Sequence, residues 1–246
     1  MNKPSKVTDL DWKLLTEKYK NKKLEKVVKL IEKDYPVQYL IGNVDFMGYD
    51  ILVKKGVLIP RFETEGLLDE TIKLLKEEKM DDISVLDIGT GTGCIPVVLK
   101  KELPRLEITS IDINGKAIKL AKLNASNYNV NINLIKKSVF RYKPINKYSL
   151  IISNPPYVDK TEKVGSEIKY EPANAIFADH EGLKFYEYII KNASKWTTDK
   201  NILAFEIGYN QGKYLKQYAK EYYPKAKIIV NKDLSERDRY LFIINK

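Results

Sequence analysis

The chain has 246 residues, with 43 Lys and Arg against 33 Asp and Glu and a formal net charge of +10. At 43% hydrophobic and 31% charged residues it can bury a core and is not disordered by composition. Its single cysteine, Cys94, and single histidine, His180, exclude an intramolecular disulfide, a multi-cysteine zinc framework and any cluster that needs two histidines.

No apolar run approaches the roughly 18 residues of a membrane helix, and the opening MNKPSKVTDLDW lacks the apolar stretch of a secretory signal. The expectation is a cytoplasmic protein with no membrane association and no metal site. Only five of the cations are arginine (Arg61, Arg105, Arg141, Arg237, Arg239), and the lysines are scattered along the whole chain. Arginine is the side chain suited to bidentate phosphate and guanine contacts, so the charge reads as a solvated surface, and direct nucleic-acid binding is not required.

In chain order, residues 9 to 33 space Leu10, Leu14, Leu15, Leu24, Val27, Val28, Leu30 and Ile31 at roughly helical period, which predicts a short amphipathic helical segment over 1–35 closed by Pro36. From Val37 to Ile59 the glycines Gly42, Gly48 and Gly56 punctuate short apolar runs such as YLIG and YDILV, predicting one or two β-hairpins in a connector over 36–63. Glu63 and Glu65 precede Leu67, Leu68, Ile72, Leu74 and Leu75, which predicts a helix over about 64–79 with its acids at the positive end. An alternation of strands and helices then begins. Strands are predicted over 83–88, 107–113, 132–137, 148–154, 201–208, 227–233 and 239–245, with helices over 96–103, 117–127, 182–194 and 211–223. Such alternation implies parallel pairing with right-handed crossovers, hence a Rossmann-like α/β sheet over 64–246 covered on both faces. The last strand follows its predecessor without a helix, which predicts an antiparallel C-terminal hairpin at one end of a mostly parallel sheet.

In such sheets ligands bind at the carboxyl ends of strands. The first such end carries Asp87, then Gly89, Thr90, Gly91, Thr92 and Gly93, a glycine-rich turn that lets the backbone approach a ligand and exposes helix N-terminal N–H groups. The second carries Asp112, a carboxylate able to accept both hydroxyls of a ribose. Together they describe a nucleoside-containing cofactor, either a dinucleotide or S-adenosylmethionine. Asn154-Pro155-Pro156-Tyr157, at the end of the fourth strand of the alternation, separates the two. Two prolines fix φ in succession, so the Asn154 side-chain carbonyl and the Pro155 main-chain carbonyl can stand as a rigid pair of acceptors, with the Tyr157 ring beside them. Two acceptors and a flat ring suit a planar –NH2 group.

With these residues in place, the chain resembles class I S-adenosylmethionine-dependent methyltransferases of the amino-methylating kind. The further segments Gln38-Tyr-Leu-Ile-Gly42, Phe46, Leu58-Ile-Pro60-Arg61-Phe62-Glu63-Thr64-Glu65, Tyr170-Glu171-Pro172 and Ala178-Asp179-His180-Glu181-Gly182-Leu183 resemble the release factor glutamine methyltransferase (PrmC/HemK) family. The resemblance runs from about residue 36 to 246. It implies methyl transfer from S-adenosylmethionine, leaving S-adenosylhomocysteine, to the side-chain amide nitrogen of the glutamine in the GGQ motif of peptide-chain release factors. It also implies cofactor contacts from Asp87, Gly89, Thr90, Gly91, Thr92, Gly93, Asp112, Phe140 and Asn154, and catalytic and substrate contacts from Asn154, Pro155, Pro156 and Tyr157. Three departures from the family pattern stand out: about 35 residues replace a longer N-terminal helical domain, Phe62 replaces a proline, and Ser138-Val139-Phe140 stands where an acidic residue is common. Adenine is then expected to be held by apolar contact with Phe140 and by backbone hydrogen bonds.

An amide nitrogen is a poor nucleophile, and no His, Lys or metal constellation in the sequence could deprotonate it, so positioning must supply the rate. Cys94 reads as a small packing residue, His180 as a loop residue, and the Tyr170-Glu171-Pro172 run as a loop over the acceptor. Glu206, at the end of FEIG, reads equally as a supporting partner of the site or as a surface carboxylate. Two other functions fit less of the sequence. A DNA or RNA adenine-N6 methyltransferase would need a base-extracting element for which there is no spare segment, and an intact NPPY argues against a non-catalytic cofactor-binding protein.

Overall fold

The computed structural model describes residues 2–246, so of the helical segment expected over 1–35 only residue 1 lies outside the described residues. That segment forms two helices, α1 (Asp9–Lys18) and α2 (Asn21–Ile31). Thr8 starts the first by accepting the Asp11 N–H at 3.0 Å, and extended backbone at Tyr19 and Lys20 separates it from the second. The YLIG run, expected as a strand, is instead one turn of helix, α3 (Val37–Ile41). Pro36 presets its entry, Gly42 ends it in the left-handed region at φ +99°, and Leu40 is buried in a small cluster with Val7, Leu15, Val27 and Ile31. Burial on a helical neighbour thus outweighs the strand preference of the local sequence.

One hairpin follows, β1 (Asn43–Phe46) with β2 (Tyr49–Leu52), turning at Gly48. Helix α4 (Phe62–Glu77) buries Thr64, Leu67, Leu68, Thr71, Ile72 and Leu75 on one stripe, with Glu63 and Glu65 in its first turn. The alternation then gives β3 (Ser84–Ile88), α5 (Cys94–Glu102), β4 (Glu107–Asp112), α6 (Gly115–Asn127), β5 (Asn133–Lys136) and β6 (Tyr148–Ser153). A long loop contains the short parallel pair β7 (Val158–Asp159) and β8 (Phe177–Ala178), with 3₁₀ turns at 166–170 and 173–175 between them. Helix α7 (Lys184–Trp196), β9 (Thr197–Glu206), α8 (Gly212–Tyr222), β10 (Lys227–Lys232) and β11 (Asp238–Asn245) complete the chain. No helix among the described residues is long and apolar enough to cross a membrane.

The seven-stranded sheet runs β10-β11-β9-β6-β3-β4-β5. Strands β9, β6, β3, β4 and β5 are parallel, and β11 lies antiparallel between β10 and β9. Alternate side chains of each strand enter opposite layers. Val85, Leu150, Ile152 and Ala204 pack under α4 and α5, whereas Leu86, Ile151, Leu203 and Phe205 pack under α7 and α8. The chain leaves β3 for β4 on one side and reaches β6 on the other, so the carboxyl end of β3 is the switch point at which a crevice opens.

Gly93 shows how closely this frame is packed. It has φ +82° at the start of α5, and a Cβ there would meet Ala121 Cβ of α6 at 2.8 Å. Gly93→Ala combines left-handed strain with overpacking and is expected to cost about 2–4 kcal/mol in urea denaturation.

Candidate active site

A cavity of about 260 Å³ opens at the carboxyl ends of β3, β4 and β6. Gly89 and Gly91 line it in left-handed conformations, φ +81° and +56°, which L side chains rarely adopt. The Gly89 N–H is tied to Ile111 O at 2.9 Å, which fixes the loop to the end of β4. A Cβ on Gly89 would have the Asn154 main-chain oxygen, 4.0 Å away, as its nearest neighbour. A side chain at this position would therefore intrude between the glycine loop and the NPPY loop. Thr90 and Thr92 also line the cavity.

Asp112 lines the same cavity, and its two carboxylate oxygens accept the Gly91 N–H at 3.0 Å and the Asn114 N–H at 2.7 Å. Each oxygen retains acceptor capacity after one such bond, enough for a pair of vicinal hydroxyls. Burial raises the Asp112 pKa, and these two hydrogen bonds oppose the shift. On the next wall Phe140 packs on Phe185 at 5.2 Å and edge-on to Tyr188 at 4.8 Å, giving an apolar aromatic surface.

Two residues of the glycine segment stand apart from the cavity. Gly93 serves the contact of α5 with α6. Asp87 is fully buried beneath the loop, and neither of its oxygens, nor the hydroxyls of Thr90, Thr92 and Ser110, has a hydrogen-bond partner among the described residues. Burial pushes the Asp87 carboxyl up to about 7, and the neighbouring Thr90 and Ser110 hydroxyls pull the other way.

Asn154, Pro155 and Pro156 line the cavity opposite the glycine loop. Asn154 Nδ2 donates to Thr64 Oγ1 at 2.9 Å, and the Thr64 hydroxyl donates to Glu206 Oε2 at 2.6 Å. Tyr157 is placed otherwise than its neighbours in sequence suggest. Its side chain is not among those lining the cavity; its hydroxyl donates to Glu206 Oε1 at 3.1 Å, and Arg239 lies 6.0 Å from its ring centroid. The ring expected to lie beside an acceptor is thus anchored at its hydroxyl end, where the Glu206 carboxylate fixes its direction. Glu206 is fully buried, which pushes its carboxyl up to about 7 against the pull of the Thr64 hydrogen bond and the Arg239 charge.

The segments around this pocket hold one another. Glu171, buried, accepts the Ile59 N–H at 2.9 Å and pairs with the Arg61 guanidinium. This joins the LIPRFETE loop to the Tyr170-Glu171-Pro172 loop, and Arg61, Pro172 and Asn174 all line the cavity. Tyr170 in turn donates to Lys33 O at 2.8 Å and meets the Tyr35 ring edge-on at 4.9 Å, so the N-terminal helical segment supports the same loop.

Comparison with known proteins agrees with this arrangement. A family model described as methyltransferase small domain matches residues 64–178. A release factor glutamine methyltransferase of Fusobacterium nucleatum is 43% identical over 204 residues, covering 81% of this chain but only 57% of that protein. One of Streptococcus pneumoniae is 36% identical over 223 residues, covering 89% of this chain and 78% of that protein. The chain belongs to the release factor glutamine methyltransferase family. A solved structure titled as a release factor-specific protein-(glutamine-N5) methyltransferase from Alicyclobacillus acidocaldarius has a TM-score of 0.50 at 23% identity, covering 76% of this chain and 94% of that one, and it shares the fold.

Within this family member, motif reading brings together Gly89, Thr90, Gly91, Thr92, Asp112, Phe140, Asn154, Pro155 and Pro156 around one cavity. It misses Thr64 and the role of Arg61 and Glu171 in joining two loops. The LIPRFETE and YEP segments were the available signal, but nothing local pairs them across 110 residues.

The buried acids set a pH dependence of stability. Asp87 and Glu206 have folded-state values raised to about 7, so between roughly pH 4 and 7 the folded state binds more protons than the unfolded chain. Their contribution favours folding below that window and is lost as pH rises through it. The urea midpoint of Asp87→Asn is expected to change less between pH 5 and pH 8 than that of the unmodified protein.

Proposed function

We propose that the protein transfers a methyl group from S-adenosylmethionine to the side-chain amide nitrogen of a glutamine, the one in the GGQ motif of a peptide-chain release factor, in the cytoplasm. The observation that carries this reading is that one cavity has the glycine loop and Asp112 on one side and Asn154-Pro155-Pro156 on the other. The free acceptor capacity of Asp112, the aromatic wall of Phe140 and the space a Cβ on Gly89 would invade fit a nucleoside bearing an extended sulfonium group. When bound, S-adenosylmethionine supplies an electrophilic methyl carbon on positively charged sulfur.

The residues of the chain supply position. Asp112 would take the ribose hydroxyls, Gly89 and Gly91 would admit the cofactor close to main chain, and Phe140 would flank the adenine. Asn154 Oδ1 and the Pro155 carbonyl accept the two N–H bonds of the glutamine amide, and the proline pair keeps those acceptors at a fixed separation. Two accepted hydrogens draw electron density onto nitrogen and favour the tetrahedral geometry it acquires as the N–C bond forms and the S–C bond breaks. The donor would leave as neutral S-adenosylhomocysteine, and the proton lost from the amide nitrogen would pass to solvent. No general base is needed, in keeping with a cavity whose lining holds no His and whose Asp112 is engaged with backbone N–H groups.

Incubation with labelled S-adenosylmethionine and a release factor is expected to label the factor, and replacing its GGQ motif by GGA to abolish the label. Labelling of duplex DNA in place of the factor would favour the adenine reading. Asn154→Ala is expected to lower kcat by about 100-fold or more while cofactor affinity, measured by calorimetry, changes less than about threefold.

A further inference from the structure

Oxygen and nitrogen of a carboxamide have nearly the same size and reach, so packing alone does not decide which of them faces an acceptor substrate. Hydrogen-bond polarity decides it. Above about pH 7, the value to which burial raises it, Glu206 is a carboxylate that only accepts, and both of its oxygens are occupied by hydroxyl donors, Thr64 at 2.6 Å and Tyr157 at 3.1 Å. The one proton of the Thr64 hydroxyl is thereby committed, leaving only lone pairs toward Asn154, whose Nδ2 donates to them at 2.9 Å. Were the Asn154 amide reversed, Oδ1 would face an oxygen with no proton between them, and the NH2 group would meet the N–H bonds of the substrate, donor against donor. Thr64 and Glu206 are 3% and 0% exposed, so an unpaired polar atom between them is costly. Arg239 holds the far end: its Nη1 donates to Ile207 O at 3.1 Å and its Nε to Asp233 at 3.0 Å, while its charge lies against the Tyr157 ring.

We propose that Thr64 and Glu206 are positioning residues that fix the direction of the Asn154 carboxamide, turning its NH2 inward and presenting Oδ1 to the glutamine amide. This rests on the role given to Asn154 above, and it extends the site to Thr64 of α4, which lines the cavity, and to Glu206 of β9 behind it, both acting through the Asn154 amide. Thr64→Val keeps the shape of the side chain but removes the hydroxyl, so the amide loses its directing partner. Glu206→Gln keeps the size but adds an NH2 that can donate to Thr64, whose proton can then point at Asn154 and stabilise the reversed amide.

The test is steady-state methylation of the release factor by the full chain at about pH 8.5, where Glu206 is ionised, with donor affinity measured separately. Thr64→Val and Glu206→Gln are expected to lower kcat about 10- to 100-fold, with KM for the factor and affinity for S-adenosylmethionine within about threefold of the unmodified enzyme. Thr64→Ser, which restores the hydroxyl, is expected to recover most of that loss. A Thr64→Val enzyme with unchanged kcat would overturn the proposal, as would a Thr64→Ser enzyme as impaired as Thr64→Val, since a purely packing role would distinguish the variants by volume. Failure of the underlying reading is separately visible, because Asn154→Ala would then retain its rate. If Thr64→Val does not fold, the Glu206→Gln comparison decides the matter alone.

Discussion

A single buried carboxylate holds the working end of this molecule together. Glu206 ends β9, accepts a hydroxyl from the first turn of α4 and another from the NPPY loop, and lies in the field of an arginine from β11. Burying an ionisable group without partners costs several kcal/mol, so the placement is tolerable only because three other segments converge on it. The convergence also explains why the LIPRFETE segment and the NPPY segment, 90 residues apart at Thr64 and Asn154, adopt one geometry. Each supplies what the other needs: a hydroxyl for an amide, and an amide for a hydroxyl whose proton is already taken.

The fold was legible because parallel strands buried on both faces read as continuous apolar runs between helical periods, as in SVLDI and YSLIIS. The ligand-facing loops were legible because glycine and proline have few reasons to cluster at strand ends other than backbone approach and rigidity. What stayed hidden depends on distant partners. Tyr157 follows the two prolines directly, yet the direction of its ring is set by Glu206, 49 residues on. Glu206 itself could not be told from a surface acid, since its burial is decided by where α4 docks. The YLIG run became α3 because Leu40 found a helical core to enter, information that lies in Leu15 and Val27 and not in its own neighbours.

The loops over the cavity form a second layer of organisation. Glu171 joins the entry to α4 with the loop after β7, and Tyr170 carries that loop onto the helical segment through Lys33 and Tyr35. Asp34 reinforces the contact by accepting the Ser166 hydroxyl at 2.7 Å. The helical segment therefore serves the site from the side, through the loop it supports. Its own core is modest, Val7, Leu15, Val27 and Ile31 closed by Leu40 of α3, with Trp12, Tyr19 and Tyr35 packed against it.

The position of β11 has a temporal consequence. It follows every other strand in sequence yet lies between β9 and β10, with Tyr240 opposite Glu206 and the Arg239 carbonyl accepting the Ile207 N–H at 2.8 Å. During translation the outer edge of β9 stays open, and the carboxylate at its end lacks its cationic neighbour, until residues 238–245 have left the ribosome. The pocket's polar scaffold is thus completed only once β11 has joined the sheet, so a nascent chain halted before that point would hold the glycine loop and the prolines without the cation beside Glu206 and Tyr157.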